Sequence, residues 1–131
     1  MQLVLDSSAA LRASMSTMAS VELSAHDLIG PPLLWSEVYS AVHEAVWRRE
    51  LDEPGAMRVM DGFVGLGVRR RSPARLHSEA YAIANELGWA KTYDAEFLAL
   101  ARLEGGRVLT TDARLRRGAD RTGLVMDPSE L

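Results

Sequence analysis

The chain has 131 residues, a length that one hydrophobic core can serve, and carries 15 Lys+Arg against 18 Asp+Glu for a net charge of −3. The absence of cysteine excludes a disulfide scaffold, a thiolate zinc site and a cysteine nucleophile, and it suits a reducing cytosol. No apolar run reaches the ~18–20 residues that span a bilayer, the start Met1 to Asp6 lacks the basic residues of a secretion signal, and the charge disfavours a protein that grips a long duplex through its phosphates. The expectation is a single cytoplasmic domain over 1–131.

Taken in chain order, Leu3-Val4-Leu5 reads as a buried strand, and an alanine-rich helix follows from about Ser8 to Met18. Asp27 to Gly30 reads as a second short strand, closed by Pro31-Pro32. A long helix then runs from about Leu33 to Glu50, with proline at its entrance, where a missing N–H costs nothing. Further helices are expected from Pro54 to Leu66 and from Ala74 to Leu87, the latter ended by Gly88 as C-cap. A helix from Asp94 to Glu104 stops at Gly105-Gly106, and Arg107 to Thr110 forms a strand. A short helix over Asp112–Arg117 and a strand at Leu124-Val125-Met126 complete the chain. Such alternation predicts an α/β layer fold with a mostly parallel sheet, in which ligands bind beyond the carboxyl ends of the strands.

Four acids meet that description. Asp6 and Asp112 each follow a predicted buried strand, where an Asp also serves as an N-cap. Glu37 shares a helix face with Leu33, Leu34, Ala41 and Ala45, and Asp94 heads a face continued by Phe97, Leu98 and Ala101. Each acid alone is explained as well by a cap or by placement near a helix N-terminus. Gathered in one crevice, the four would repel one another unless divalent cations neutralised them, and oxygen ligands suit Mg²⁺ or Mn²⁺. His26, His43 and His77 show no paired zinc-binding spacing and read as surface or packing residues.

The motifs VLDSSA (Val4–Ala9), WSEV (Trp35–Val38), TYDAEFLALA (Thr92–Ala101) and LTTDARL (Leu109–Leu115) resemble those of PIN-domain nucleases, and within them the VapC toxins of type II toxin–antitoxin systems. The resemblance covers the chain end to end. It implies a Rossmann-like α/β/α sandwich, RNA cleavage at an acidic Mg²⁺ or Mn²⁺ site, neutralisation by a cognate antitoxin protein, and homodimerisation. Carried over by position, Asp6, Glu37, Asp94 and Asp112 match the acidic quartet. Ser7 and Thr110 match small polar positions that would orient ligands or waters. Tyr93 and Trp89 depart from the usual small and aliphatic residues at their places.

The chemistry expected is hydrolysis of an RNA phosphodiester by metal-activated water, with Asp6, Asp94 and Asp112 holding the metal and Glu37 binding a second ion or orienting the nucleophile. Arg114, Arg116 and Arg117 follow Asp112 and are candidates for phosphate contacts, while Trp35, Trp47 and Trp89 are core or interface residues unless they stack bases. The competing reading is a catalytically inactive PIN-like module that binds RNA or protein. A receiver-type phosphoacceptor would want paired acids at the first strand and a late lysine. A haloacid-dehalogenase-type phosphatase would want an Asp where Ser8 stands.

Overall fold

A computed structural model describes residues 1–131. Five parallel strands form one sheet in the order β3-β2-β1-β4-β5. They are β1 (Gln2–Leu5), β2 (Asp27–Gly30), β3 (Arg69–Arg70), β4 (Arg107–Leu109) and β5 (Val125–Met126). Seven helices surround it: α1 (Ser7–Met15), α2 (Thr17–Leu23), α3 (Pro32–Trp47), α4 (Glu53–Gly65), α5 (Leu76–Leu87), α6 (Tyr93–Glu104) and α7 (Ala113–Ala119). The α/β class is as expected, and the sheet is parallel throughout.

β1 lies at the centre, pairing Leu3 with Leu28 on one side and Val4 with Val108 on the other. Leu3, Val4, Leu5, Ile29 and Val108 are fully buried, as strands covered on both faces require. The order reverses at β1, where the chain leaves to β2 on one side and β4 on the other. A crevice therefore opens beyond the carboxyl ends of β1 and β4.

Two elements differ from the sequence reading. The first long helix is broken at Ser16, which turns to extended backbone (φ −133°, ψ 114°) and caps α2 by accepting from the Ala19 N–H at 3.2 Å. Just before the break α1 and α4 cross closely, so that a Cβ on Gly62 would stand 2.4 Å from the Ser14 carbonyl oxygen. The second difference is β3, whose two exposed arginines carry no apolar signal. Arg69 instead binds Asp27 of the neighbouring strand through both carboxylate oxygens, at 2.9 and 2.7 Å. No helix is long and apolar enough to cross a membrane.

Candidate active site

Asp6 leaves β1 and enters α1, and Asp112 stands between β4 and α7, so adjacent strands deliver both to one sheet edge. Glu37 sits in the second turn of α3 and Asp94 in the first turn of α6. The four influence one another electrostatically. Asp112 raises the proton affinity of Asp6, and Asp94 and Asp6 raise that of Glu37. Folding thus brings together acids separated by up to 106 residues, from Asp6 to Asp112.

Burial separates them into unequal partners. Asp6 is 5 % exposed and Glu37 is half-buried, whereas Asp94 and Asp112 are open to solvent. The buried face expected to begin at Asp94 begins instead at Ala95 and includes Phe97 and Leu98. Desolvation is the main cause of the raised proton affinity of Asp6, and it also leads at Glu37, whose carboxyl is pushed up to about 6. Both are natural places for a cation.

Three donors hold Asp6. Its Oδ1 accepts from the Ser8 hydroxyl at 2.7 Å and from the Ala9 N–H at 2.9 Å, and its Oδ2 accepts from the Thr110 hydroxyl. Ser8 and Thr110 each have one hydroxyl hydrogen, and both are spent on Asp6. Their own 3.3 Å approach is then a packing contact. The same two oxygens accept from backbone, Ser8 Oγ from the Thr111 N–H and Thr110 Oγ1 from the Asp112 N–H, each at 3.0 Å. The network ties β1 to the turn after β4, and it leaves Asp6 one unclaimed lone pair, on Oδ2.

Ser7 and Thr110 were both expected to orient the site. Thr110 contacts Asp6, while Ser7, at the start of α1, lowers the proton affinity of Glu37. Ser8, the residue that argued against a phosphatase, holds Asp6 and was missed. Its signal was a hydroxyl two residues after a strand-end Asp, in reach of its own carboxylate. Also missed was Glu96, buried in α6 beside His77 at 3.7 Å, which adds to the negative field at Glu37. An acid within the apolar run Ala95-Phe97-Leu98 was the clue available.

Asp112 Oδ1 caps α7 by accepting from the N–H groups of Arg114 at 2.9 Å and Leu115 at 3.3 Å. Asp6 caps α1 through its bond to Ala9. Capping and site membership coincide at these residues. Glu37 caps nothing, and capping does not explain its position.

The donor set is all oxygen and all acidic, which suits a hard divalent cation. No three of the carboxylates converge tightly enough to encage an ion by themselves. Mg²⁺ is commonly held by one or two carboxylates with several waters retained, so the spread agrees with its habits.

The PIN domain family model matches residues 3–121. The chain belongs to the PIN domain family. The crystal structure of PAE2754 from Pyrobaculum aerophilum is similar to it with a TM-score of 0.79 and 19% identity, over 99% of this chain and 91% of that one. That likeness shows a shared fold. No curated protein matches the chain. The family is nuclease-like in its fold, and its nucleases typically use divalent metals.

Around the acids of this PIN domain the three candidate arginines divide. Arg116 is paired with Asp127 and Glu130, which fastens the C-terminal turn to α7 and commits its guanidinium internally. Arg114 and Arg117 are exposed and make no ion pair. Of the tryptophans, Trp47 is 82 % exposed, Trp35 packs edge-on against Phe63 beneath Arg70, and Trp89 lies beside Asp94 in a cavity.

Proposed function

We propose that this PIN domain is a Mg²⁺- or Mn²⁺-dependent endoribonuclease, the toxin of a type II toxin–antitoxin pair. It would work as a homodimer and be silenced by a small cognate antitoxin. The observation that carries the nuclease reading is Asp6, buried yet supplied with three donors and one open lone pair at an edge shared with three further acids. The toxin assignment draws on the order and spacing of the four motifs.

Asp6, Asp94 and Asp112 would hold the cation, directly or through water, and the cation would offset charge on the phosphate and make a bound water more acidic. Ser8 and Thr110 keep Asp6 in its acceptor state and aimed at the crevice. Glu37, with its carboxyl near pH 6, is suited to orient the attacking water and receive its proton. Water as nucleophile leaves the 2′-OH unused, so the products carry 5′-phosphate and 3′-OH ends.

Purified protein should cleave RNA with Mn²⁺ or Mg²⁺, stop on addition of EDTA, and lose at least ~100-fold activity as Asp94→Asn with its fold intact. Full activity in that variant, or 2′,3′-cyclic phosphate ends, overturns the scheme. For the toxin role, expression should arrest growth, and co-expression of a short upstream partner gene should restore it. An inactive binding module would require the acids only as caps, a role Glu37 and Asp94 do not fill.

A further inference from the structure

Beside the acids lies a cavity of about 550 Å³, within the range that accepts a small ligand. Glu37 and Asp94 form one part of its lining. The α5–α6 connection supplies Trp89 and Lys91, the first turn of α6 supplies Tyr93, and α7 supplies Arg114 and Gly118. Three features set it apart from a plain cleft.

First, the indole of Trp89 rests against the backbone of α7 at Gly118, where a Cβ would stand 3.3 Å from Cζ2 and 3.6 Å from Nε1. Any side chain at 118 would crowd the ring or enter the cavity. Second, Tyr93 leaves a large ring 57 % exposed immediately next to Asp94. Third, Lys91 and Arg114 are exposed cations in no ion pair, and both line the same cavity as the acids. Aromatic faces take bases whatever their sequence, and unpaired cations take phosphates. A base held in a duplex cannot enter such a space without leaving its stack.

We propose that this cavity is a nucleobase subsite. One unpaired nucleotide next to the scissile phosphate places its base against Trp89 and Tyr93, and Lys91 and Arg114 meet the flanking phosphates. The assignment rests on the ribonuclease reading and adds to it where the RNA must be unpaired. Gly118 and Tyr93 then govern base binding, while the acids govern cleavage.

The test is binding without turnover, on the full chain in EDTA, with adenosine 5′-monophosphate and ribose 5-phosphate as probes and backbone NMR shifts as readout. The nucleotide should bind saturably, move the signals of Trp89, Tyr93, Arg114 and Gly118, and exceed ribose 5-phosphate in affinity by roughly tenfold, the scale of one base stack. Gly118→Leu and Tyr93→Ala should each shrink that ratio to about threefold or less. Tyr93 is exposed, so its truncation remains informative if Gly118→Leu distorts α7. Equal affinity for the two probes, no saturable nucleotide binding, or shifts confined to another surface overturns the subsite. RNA cleavage by a protein that binds the two probes equally would remove the subsite and leave the nuclease standing. Tighter binding of the nucleotide without RNA cleavage in Mn²⁺ would do the reverse.

Discussion

Thr110→Val changes little at its site except the hydroxyl, and that hydroxyl has two duties. It donates to Asp6 Oδ2 and accepts from the Asp112 N–H at 3.0 Å, at a residue only 1 % exposed. A hydrogen bond to a charged group contributes about 1.5–3 kcal/mol, and a stranded buried N–H costs about 1–3 kcal/mol. Relaxation of the exposed Asp112 turn recovers part of the second amount, so the net loss at pH 8 should be about 3 kcal/mol. For a chain of this length that is a fall in Tm of roughly 10 °C. The loss should depend on pH. Burial already raises the Asp6 pKa, and removing a donor to the carboxylate raises it further. The ionised form therefore suffers most, and the penalty should be smaller at pH 5 than at pH 8, since falling pH favours the protonated acid. Urea unfolding in EDTA at both pH values measures this. A penalty below about 1 kcal/mol, or one equal at pH 5 and pH 8, would show that the hydroxyl does not hold Asp6 in its charged form.

Glu37 offers a test of opposite sign. Its folded carboxyl is raised from an ordinary 4.5 to about 6, so its contribution to the metal-free fold is fully present below 4.5 and lost as pH rises through about 6. Screening at a half-buried group brings the full loss of about 2 kcal/mol down to about 1 kcal/mol. Glu37→Gln should therefore stabilise the metal-free protein by that amount at pH 8 and leave it unchanged at pH 4, by thermal melts in EDTA. Millimolar Mn²⁺ should raise the Tm of the wild-type chain and do so less for Asp94→Asn, as a ligand that binds only the folded state requires. Arg49, just past the Arg48 C-cap of α3, has φ +61°, a conformation that suits glycine, so Arg49→Gly should gain roughly 0.5–1 kcal/mol in urea unfolding. Arg116→Ala should free the C-terminal turn, seen as faster amide exchange at Ser129, and leave RNA affinity nearly unchanged.

Much of the architecture was legible because its strands are short, apolar and bounded by turn residues. Leu3-Val4-Leu5 and Val108-Leu109 declare themselves in this way, and parallel pairing follows from the helices between strands. β3 was not legible, because Arg69 and Arg70 pair with the edge of β2 while Arg69 also binds Asp27 through its side chain, and no periodicity records that. The break at Ser16 was hidden because a serine amid helix-forming residues reads as part of one helix until its extended backbone and its cap on α2 are seen. At the site, the acids were found by their places at strand ends and helix starts. Their unequal burial was not, because Asp94 begins α6 on its open side and only tertiary packing decides which turn is covered. Ser8 and Glu96 escaped for a related reason, since each acts on a residue whose need for it exists only in the folded chain.

The bond from Thr110 to Asp6 joins residues 104 positions apart, and β1 needs both β2 and β4 beside it. A growing polypeptide that has not yet reached β4 has Asp6 with Ser8 and Ala9 beside it, but neither the Thr110 hydroxyl nor Asp112. The four acids therefore share one edge only once β4 has docked on β1, and a chain cut before β4 cannot assemble them.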